Sequence, residues 1–123
     1  MQDAGRELAG RRVFVIEDDS MVSMLLEELL SDIGCKVVGT AFRFDEALQK
    51  AKSLAFDLAI LDVNLNGQHT VPIAEEFARC GIRFVFATGY GLPTLPDALR
   101  KVPTLQKPFH QEDLTRVLQM ALS

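Results

Sequence analysis

Short apolar runs alternate with segments of helical periodicity along almost the whole chain, and this alternation restricts the fold more than any other feature of the sequence. Residues 12–17, with Val13-Phe14-Val15-Ile16 at their centre, read as a first strand. Residues 20–33 read as a helix, because Val22, Leu25, Leu26, Leu29, Leu30 and Ile33 recur at a spacing that puts them on one face. Gly34 is a natural stop for it. Residues 36–41 form a second strand and 44–54 a second helix, with Phe44, Ala47, Leu48 and Ala51 facing inward. Residues 57–62 are a third strand, 71–80 a helix with Pro72 in its first turn and Gly81 at its end, and 83–87 a fourth strand. Residues 103–107 make a short fifth strand, and 110–122 a last helix with Leu114, Val117, Leu118, Ala121 and Leu122 on one face.

Five strands alternating with helices predict an α/β fold built on a doubly wound parallel sheet. Near-continuous apolar strands fit a sheet buried on both faces. The expected strand order is the flavodoxin-like 2-1-3-4-5, with five helices. The fourth helix breaks the pattern. It should lie between Thr88 and Val102, a stretch holding Gly89, Gly91, Pro93 and Pro96, with Pro103 just beyond. Only residues 97–101 have helical propensity, so that helix is expected to be short or mobile.

At 123 residues the chain is one domain by length, large enough to bury roughly two-thirds of its unfolded surface. Residues 1–10 are small and polar and read as a flexible lead-in, leaving residues 11–123 as the domain. The net charge is -4, and the densest basic pairs are only Arg11-Arg12 and Arg100-Lys101, which argues against a nucleic-acid surface. Cys35 and Cys80 lack metal or redox spacing and read as two semi-buried thiols of a reducing cytoplasm. No apolar run approaches transmembrane length, and the N-terminus lacks the pattern of a signal peptide. A cytoplasmic location is the resulting expectation.

The candidate chemistry lies where strands end. Asp62 closes Leu58-Ala59-Ile60-Leu61, and a carboxylate there is costly to desolvate without a charged partner. Glu17-Asp18 follow the first strand, Thr88 follows the fourth and Lys107 closes the fifth. In a doubly wound sheet, ligands bind beyond the C-terminal strand ends at the topological switch point, here between strands 1 and 3. Three carboxylates without histidine or cysteine select a hard cation such as Mg²⁺, with phosphate oxygens completing its shell. A carboxylate attacking phosphorus forms an acyl phosphate, while Lys107 and the Thr88 hydroxyl can contact the phosphoryl oxygens. Each residue alone has a plainer reading. The acids of 17–19 suit a helix N-terminus, Asp62 suits a turn or cap, Thr88 a turn hydroxyl, and Lys107-Pro108 a loop start. Their joint placement at strand ends is what favours a phosphate site. His69 and His110 have no partner pattern and read as solvated or capping residues.

The pieces Val13-Phe14-Val15-Ile16-Glu17-Asp18-Asp19, Asp57-Leu58-Ala59-Ile60-Leu61-Asp62, Phe86-Ala87-Thr88-Gly89 and Gln106-Lys107-Pro108-Phe109, in that order, closely resemble the receiver domain of two-component response regulators over residues 11–122. The resemblance implies that Asp62 is the phosphoacceptor, taking a phosphoryl group from a histidine kinase or histidine phosphotransfer protein. It implies that Glu17, Asp18 and Asp62 hold Mg²⁺ together with the backbone carbonyl of Asn64. Thr88 becomes the switch hydroxyl, Lys107 the phosphate-contacting lysine, and Lys107-Pro108 a cis bond. The Phe-Ala-Thr-Gly stretch resembles a subgroup that includes stand-alone receivers and receivers linked to hybrid kinases.

Two departures stand out. Thr104 occupies the strand-5 position that is commonly aromatic in the family, which puts a Thr–aromatic output couple in doubt and leaves Tyr90 as a candidate substitute. The proline- and glycine-rich fourth-helix segment is the other. The expected function is a phosphorylation switch rather than an enzyme acting on external substrates, one that catalyses its own phosphorylation and dephosphorylation. Such a receiver would act as a stand-alone monomer or weak homodimer, signalling to a downstream protein or serving as a relay or phosphate sink. The alternatives are a constitutive binding module, which a degraded acid set would favour, and an aspartyl-nucleophile hydrolase, which would want an Asp where Asn64 stands.

Overall fold

The computed structural model describes residues 8–89 and 95–122. In chain order the elements are β1 (Arg12–Ile16), α1 (Ser20–Asp32), β2 (Lys36–Ala41), α2 (Phe44–Ser53), β3 (Leu58–Asp62), β4 (Asn64–Leu65), β5 (Gln68–His69), α3 (Val71–Arg79), β6 (Phe84–Thr88), a 3-10 turn (Asp97–Leu99), β7 (Thr104–Gln106) and α4 (Gln111–Leu122). The main sheet runs β2-β1-β3-β6-β7, and every pairing in it is parallel. Counting only those five strands, this is the expected order 2-1-3-4-5.

Alternation along the strands divides the core between the two faces. Val13 and Val15, Leu58 and Ile60, and Val85 and Ala87 face one way and pack with Leu26 and Leu30 of α1 and Leu114, Val117 and Leu118 of α4. Phe14 and Ile16, Ala59 and Leu61, and Phe84 and Phe86 face the other way, toward Ala47 of α2, Ile73 and Phe77 of α3, and Leu99 of the 3-10 turn. Both faces are covered, which is why β3 and β6 are buried along their whole length. An aromatic chain, Phe14–Phe56–Phe77–Phe84–Phe86, fills much of the second face at centroid separations of 5.3 to 6.4 Å.

The helices begin and end where side chains provide for it. Asp19 caps α1 by accepting from the backbone N–H groups of Met21 and Val22 at 2.9 and 3.3 Å. Gly34, at φ 92, follows the C-cap Ile33 and turns the chain toward β2, as its place in the sequence suggests. Pro72 lies in the first turn of α3.

Several expectations need correction. Leu8, assigned to the flexible lead-in, is fully buried beside Val13 and Leu30. Its carbonyl accepts from the Arg11 N–H at 3.0 Å, and the Gly10 N–H donates to the Gly34 carbonyl at 2.7 Å. The packed body therefore includes Leu8, while residues 1–7 lie outside the described residues. Leu25, assigned to the inner face of α1, is 43% exposed, and Ser23 is buried instead. Cys35 is buried as a free thiol, but Cys80 is exposed rather than semi-buried. Among the described residues the fourth-helix segment forms a 3-10 turn behind Pro96, short as the propensities suggest, while residues 90–94 lie outside them. The third strand is followed by a small antiparallel hairpin, β4–β5, in a stretch to which the sequence pattern assigns no element.

Candidate functional site

The parallel register brings the strand-end residues together. Ile16 pairs with Leu61, so Glu17, one residue on, emerges beside Asp62. Asp62 in turn pairs with Ala87, and Thr88 with Gln106, which sets Thr88 and Lys107 at the same edge of the sheet. Glu17, Asp62 and Thr88 are buried at 1%, 6% and 4% exposure, and Asp18 is half-buried. One oxygen each from Glu17, Asp18 and Asp62 lies within 4.8 Å of the others. All six residues singled out from the sequence, Glu17, Asp18, Asp62, Asn64, Thr88 and Lys107, line one cavity of about 920 Å³.

Lys107 links the buried acids. Its Nζ is 3.1 Å from Asp62 Oδ2 and donates a hydrogen bond to it. The same ammonium is 2.7 Å from Glu17 Oε1 in an ion pair, and among the described residues that buried oxygen has no further donor. Glu17 Oε2 accepts from the Asp19 N–H at 3.1 Å. Burial is the main cause that pushes the Glu17 carboxyl up to about 7; the nearby Asp62 adds to it, and Lys107 and the Asp19 N–H oppose it. Burial works against the Lys107 ammonium, but contact with Glu17 and the charges of Asp62 and Glu17 outweigh it and raise its pKa. The Lys107-Pro108 peptide is cis.

Asp62 is held at both ends. Its Oδ1 accepts from the Asn64 N–H at 3.1 Å, and its backbone carbonyl accepts from the Thr70 hydroxyl at 2.6 Å. Thr70 is fully buried and the sequence reading missed it, because a threonine ahead of a helix looks like any N-cap. Asn66 was also missed. Its backbone N–H donates to Asp18 Oδ2 at 2.8 Å, and its side-chain Nδ2 to the Phe42 carbonyl at 3.0 Å. Asn66-Gly67, at φ 53 and 81, is the two-residue turn of the β4–β5 hairpin, and an Asn-Gly pair between short strands is a recognised signal for such a turn. His69 sits on β5 opposite Asn64 and lines the cavity, while His110 immediately precedes α4 and its carbonyl accepts from the Leu114 N–H. The Thr104 side chain is half-buried on β7, and Tyr90 lies outside the described residues.

The donor set is all oxygen, clustered, partly desolvated and incompletely bonded at Glu17. That fits a hard divalent cation and disfavours a soft one. A carboxylate buried beside an ammonium and within an acidic cluster that suits a cation can receive a group that is itself anionic.

Comparison with known proteins points the same way. A family model described as "Response regulator receiver domain" matches residues 13–119. The transcriptional regulatory protein PdtaR of Mycobacterium tuberculosis is 32% identical over 117 residues; the match covers 92% of this chain and 57% of PdtaR, so the chain spans a little over half that relative's length. The solution structure of SdrG from Sphingomonas melonis Fr1 superposes with a TM-score of 0.81 at 33% identity, over 99% of this chain and 100% of SdrG. A solution structure of SdrG in its BeF3-activated conformation, from Pseudomonas melonis Fr1, superposes with a TM-score of 0.78 at 35% identity, over 94% of this chain and 98% of that one.

Proposed function

This chain belongs to the response regulator receiver domain family, and on that premise we propose that Asp62 accepts a phosphoryl group in a two-component phosphorelay. One observation carries the reading: the parallel register gathers a buried Asp62, the Glu17–Asp18 acids and the Lys107 ammonium, which touches both Glu17 and Asp62, around a single cavity. The donor is a phosphohistidine on a histidine kinase or a histidine phosphotransfer protein. An Asp62 carboxylate oxygen forms the new O–P bond as the donor's N–P bond breaks, and the departing imidazole takes up a proton.

Glu17, Asp18 and Asp62 would hold Mg²⁺ through their carboxylates, with the Asn64 backbone carbonyl as a further ligand. Bound there, Mg²⁺ supplies charge neutralisation between the carboxylates and the incoming phosphoryl oxygens. Lys107 contributes a second positive charge, already 3.1 Å from Asp62 Oδ2 and 2.7 Å from Glu17 Oε1. The Thr88 hydroxyl, at the end of β6, is placed to donate to a phosphoryl oxygen. The same set supports hydrolysis of the aspartyl phosphate by water. Asn64 stands two residues after Asp62, where an aspartyl hydrolase would want its general acid, and this favours a switch over turnover of external substrates.

SdrG, matched over its whole length, has a BeF3-activated conformation, and BeF3 resembles a phosphoryl group. That supports the phosphoacceptor reading; action as a stand-alone monomer or weak homodimer in the cytoplasm belongs to the same proposal. Phe86-Ala87-Thr88-Gly89 supports placement in the subgroup of stand-alone and hybrid-kinase receivers. Output goes to a downstream protein through the surface around the 3-10 turn, β7 and α4, or the chain serves as a relay or phosphate sink. Among the described residues no helix is long and apolar enough to cross a membrane. The test is incubation with a small phosphodonor and Mg²⁺, followed by intact mass. One added phosphoryl group is expected on the wild type and none in EDTA; labelling that persists undiminished in EDTA would sink the metal-assisted reading.

A further inference from the structure

We propose that Asn66 is a positioning residue for the cation site, acting through Asp18 from the turn of the β4–β5 hairpin. The inference rests on the reading of Glu17, Asp18 and Asp62 as the cation site.

Asp18 needs such a partner. Glu17 is buried and bonded by the Asp19 N–H, and Asp62 is fixed by Lys107 and the Asn64 N–H, but Asp18 is half-buried on the loop between β1 and α1. A carboxylate in that position is free to turn toward water unless something holds it. The Asn66 backbone N–H does so, donating to Asp18 Oδ2 at 2.8 Å from 48 residues away in sequence. One Asp18 oxygen nevertheless stays within 4.8 Å of oxygens of Glu17 and Asp62. A carboxylate oriented before binding loses less freedom when a cation arrives.

The hairpin can hold that N–H in place because its turn is tied down on two other sides. The Asn66 side chain donates from Nδ2 to the Phe42 carbonyl at 3.0 Å, anchoring the turn to the connection between β2 and α2. The Phe42 N–H in turn donates to Glu46 Oε1 at 2.8 Å, which fixes that connection to α2. The Gly67 N–H donates to Asn64 Oδ1 at 2.8 Å, closing the turn on itself. Asn66 has φ 53, a left-handed conformation that asparagine tolerates better than most side chains and that only glycine adopts freely. Asparagine is thus the residue that satisfies the turn and reaches Phe42 as well.

The experiment compares wild type, Asn66→Gly and Asn66→Asp by calorimetric Mg²⁺ titration, with thermal melts in EDTA and amide hydrogen exchange on the wild type. Asn66→Gly keeps the left-handed turn and the backbone donor but loses the tether to Phe42. Asn66→Asp keeps the shape but sets an acceptor against the Phe42 carbonyl. Asn66→Gly is expected to raise the Mg²⁺ Kd about five-fold, the size of one hydrogen bond's net contribution, and Asn66→Asp to raise it less, because its added carboxylate attracts the cation. In the wild type, Mg²⁺ should slow exchange of the Asn66 amide. A folded Asn66→Gly that binds Mg²⁺ with the wild-type Kd overturns the proposal, and so does an Asn66 amide whose exchange ignores Mg²⁺. A wild type that binds no Mg²⁺ at all overturns the cation-site reading beneath it, an outcome distinct from the other two. Should neither variant fold, the wild-type exchange measurement decides alone.

Discussion

Replacing Glu17 with glutamine should make the metal-free protein more stable at pH 8 and nearly unchanged in stability at pH 5. Glu17 is 1% exposed, and burial first, then Asp62, raises its carboxyl from the ordinary 4.5 to about 7. The folded state therefore holds this proton more tightly than the unfolded chain does. Its contribution to stability is fully present below the ordinary value and is lost as pH rises through about 7. The loss amounts to about 3 kcal/mol between pH 4.5 and pH 8. Glutamine does not ionise and escapes that loss, while Lys107 keeps its contact with Asp62 at 3.1 Å. Urea unfolding in EDTA at pH 5, 6, 7 and 8 measures the difference, and at pH 8 the variant's midpoint should lie about 1 to 2 M higher. Mg²⁺ should largely cancel the advantage: at a hundred times its Kd it stabilises a binding protein by about 2.7 kcal/mol, and Glu17→Gln should gain far less. Parallel pH profiles for the two proteins in EDTA, or a less stable variant at pH 8, would refute the reasoning.

Two further substitutions test parts of the structure that sequence reading undervalued. Leu8→Ala should cost about 3 kcal/mol and lower Tm by roughly 10 °C, because Leu8 is fully buried against the β1–α1 face of the core; a loss below about 1 kcal/mol on circular dichroism melts would mean the segment is not packed. Thr70→Val should cost about 1 to 2 kcal/mol in urea unfolding, since it removes the buried hydroxyl that donates to the Asp62 carbonyl; an unchanged midpoint would show that bond contributes nothing.

The fold was legible because β1, β3 and β6 are buried on both faces and must read as apolar runs, whatever lies around them. The strand-end positions of Glu17, Asp62 and Thr88 followed from the same runs, since each run ends at or next to one of them, while Lys107 follows the short β7. What stayed hidden depends on contacts distant in sequence. Leu8 looks like lead-in until the Cys35 thiol, beyond the end of α1, donates to its carbonyl and the Gly10 N–H donates to Gly34. Leu25 has the right helical spacing, but α1 overhangs the cavity mouth at that point, and Leu25 lines the cavity instead of the core. Thr70 and Asn66 act on Asp62 and Asp18 through single hydrogen bonds, which no periodicity records. The β4–β5 hairpin was signalled by Asn66-Gly67, but two-residue strands carry too little pattern to be read beside that turn.

The central claim is that the phosphoryl group sits on Asp62 and on no other carboxylate of the cluster. Borohydride reduction of the protein after phosphodonor treatment, followed by peptide sequencing, reads this directly, because reduction converts an aspartyl phosphate to homoserine. The account predicts homoserine at position 62 in the wild type and none anywhere in Asp62→Ala. Homoserine at Asp18, or at position 62 in protein never exposed to the donor, would contradict it.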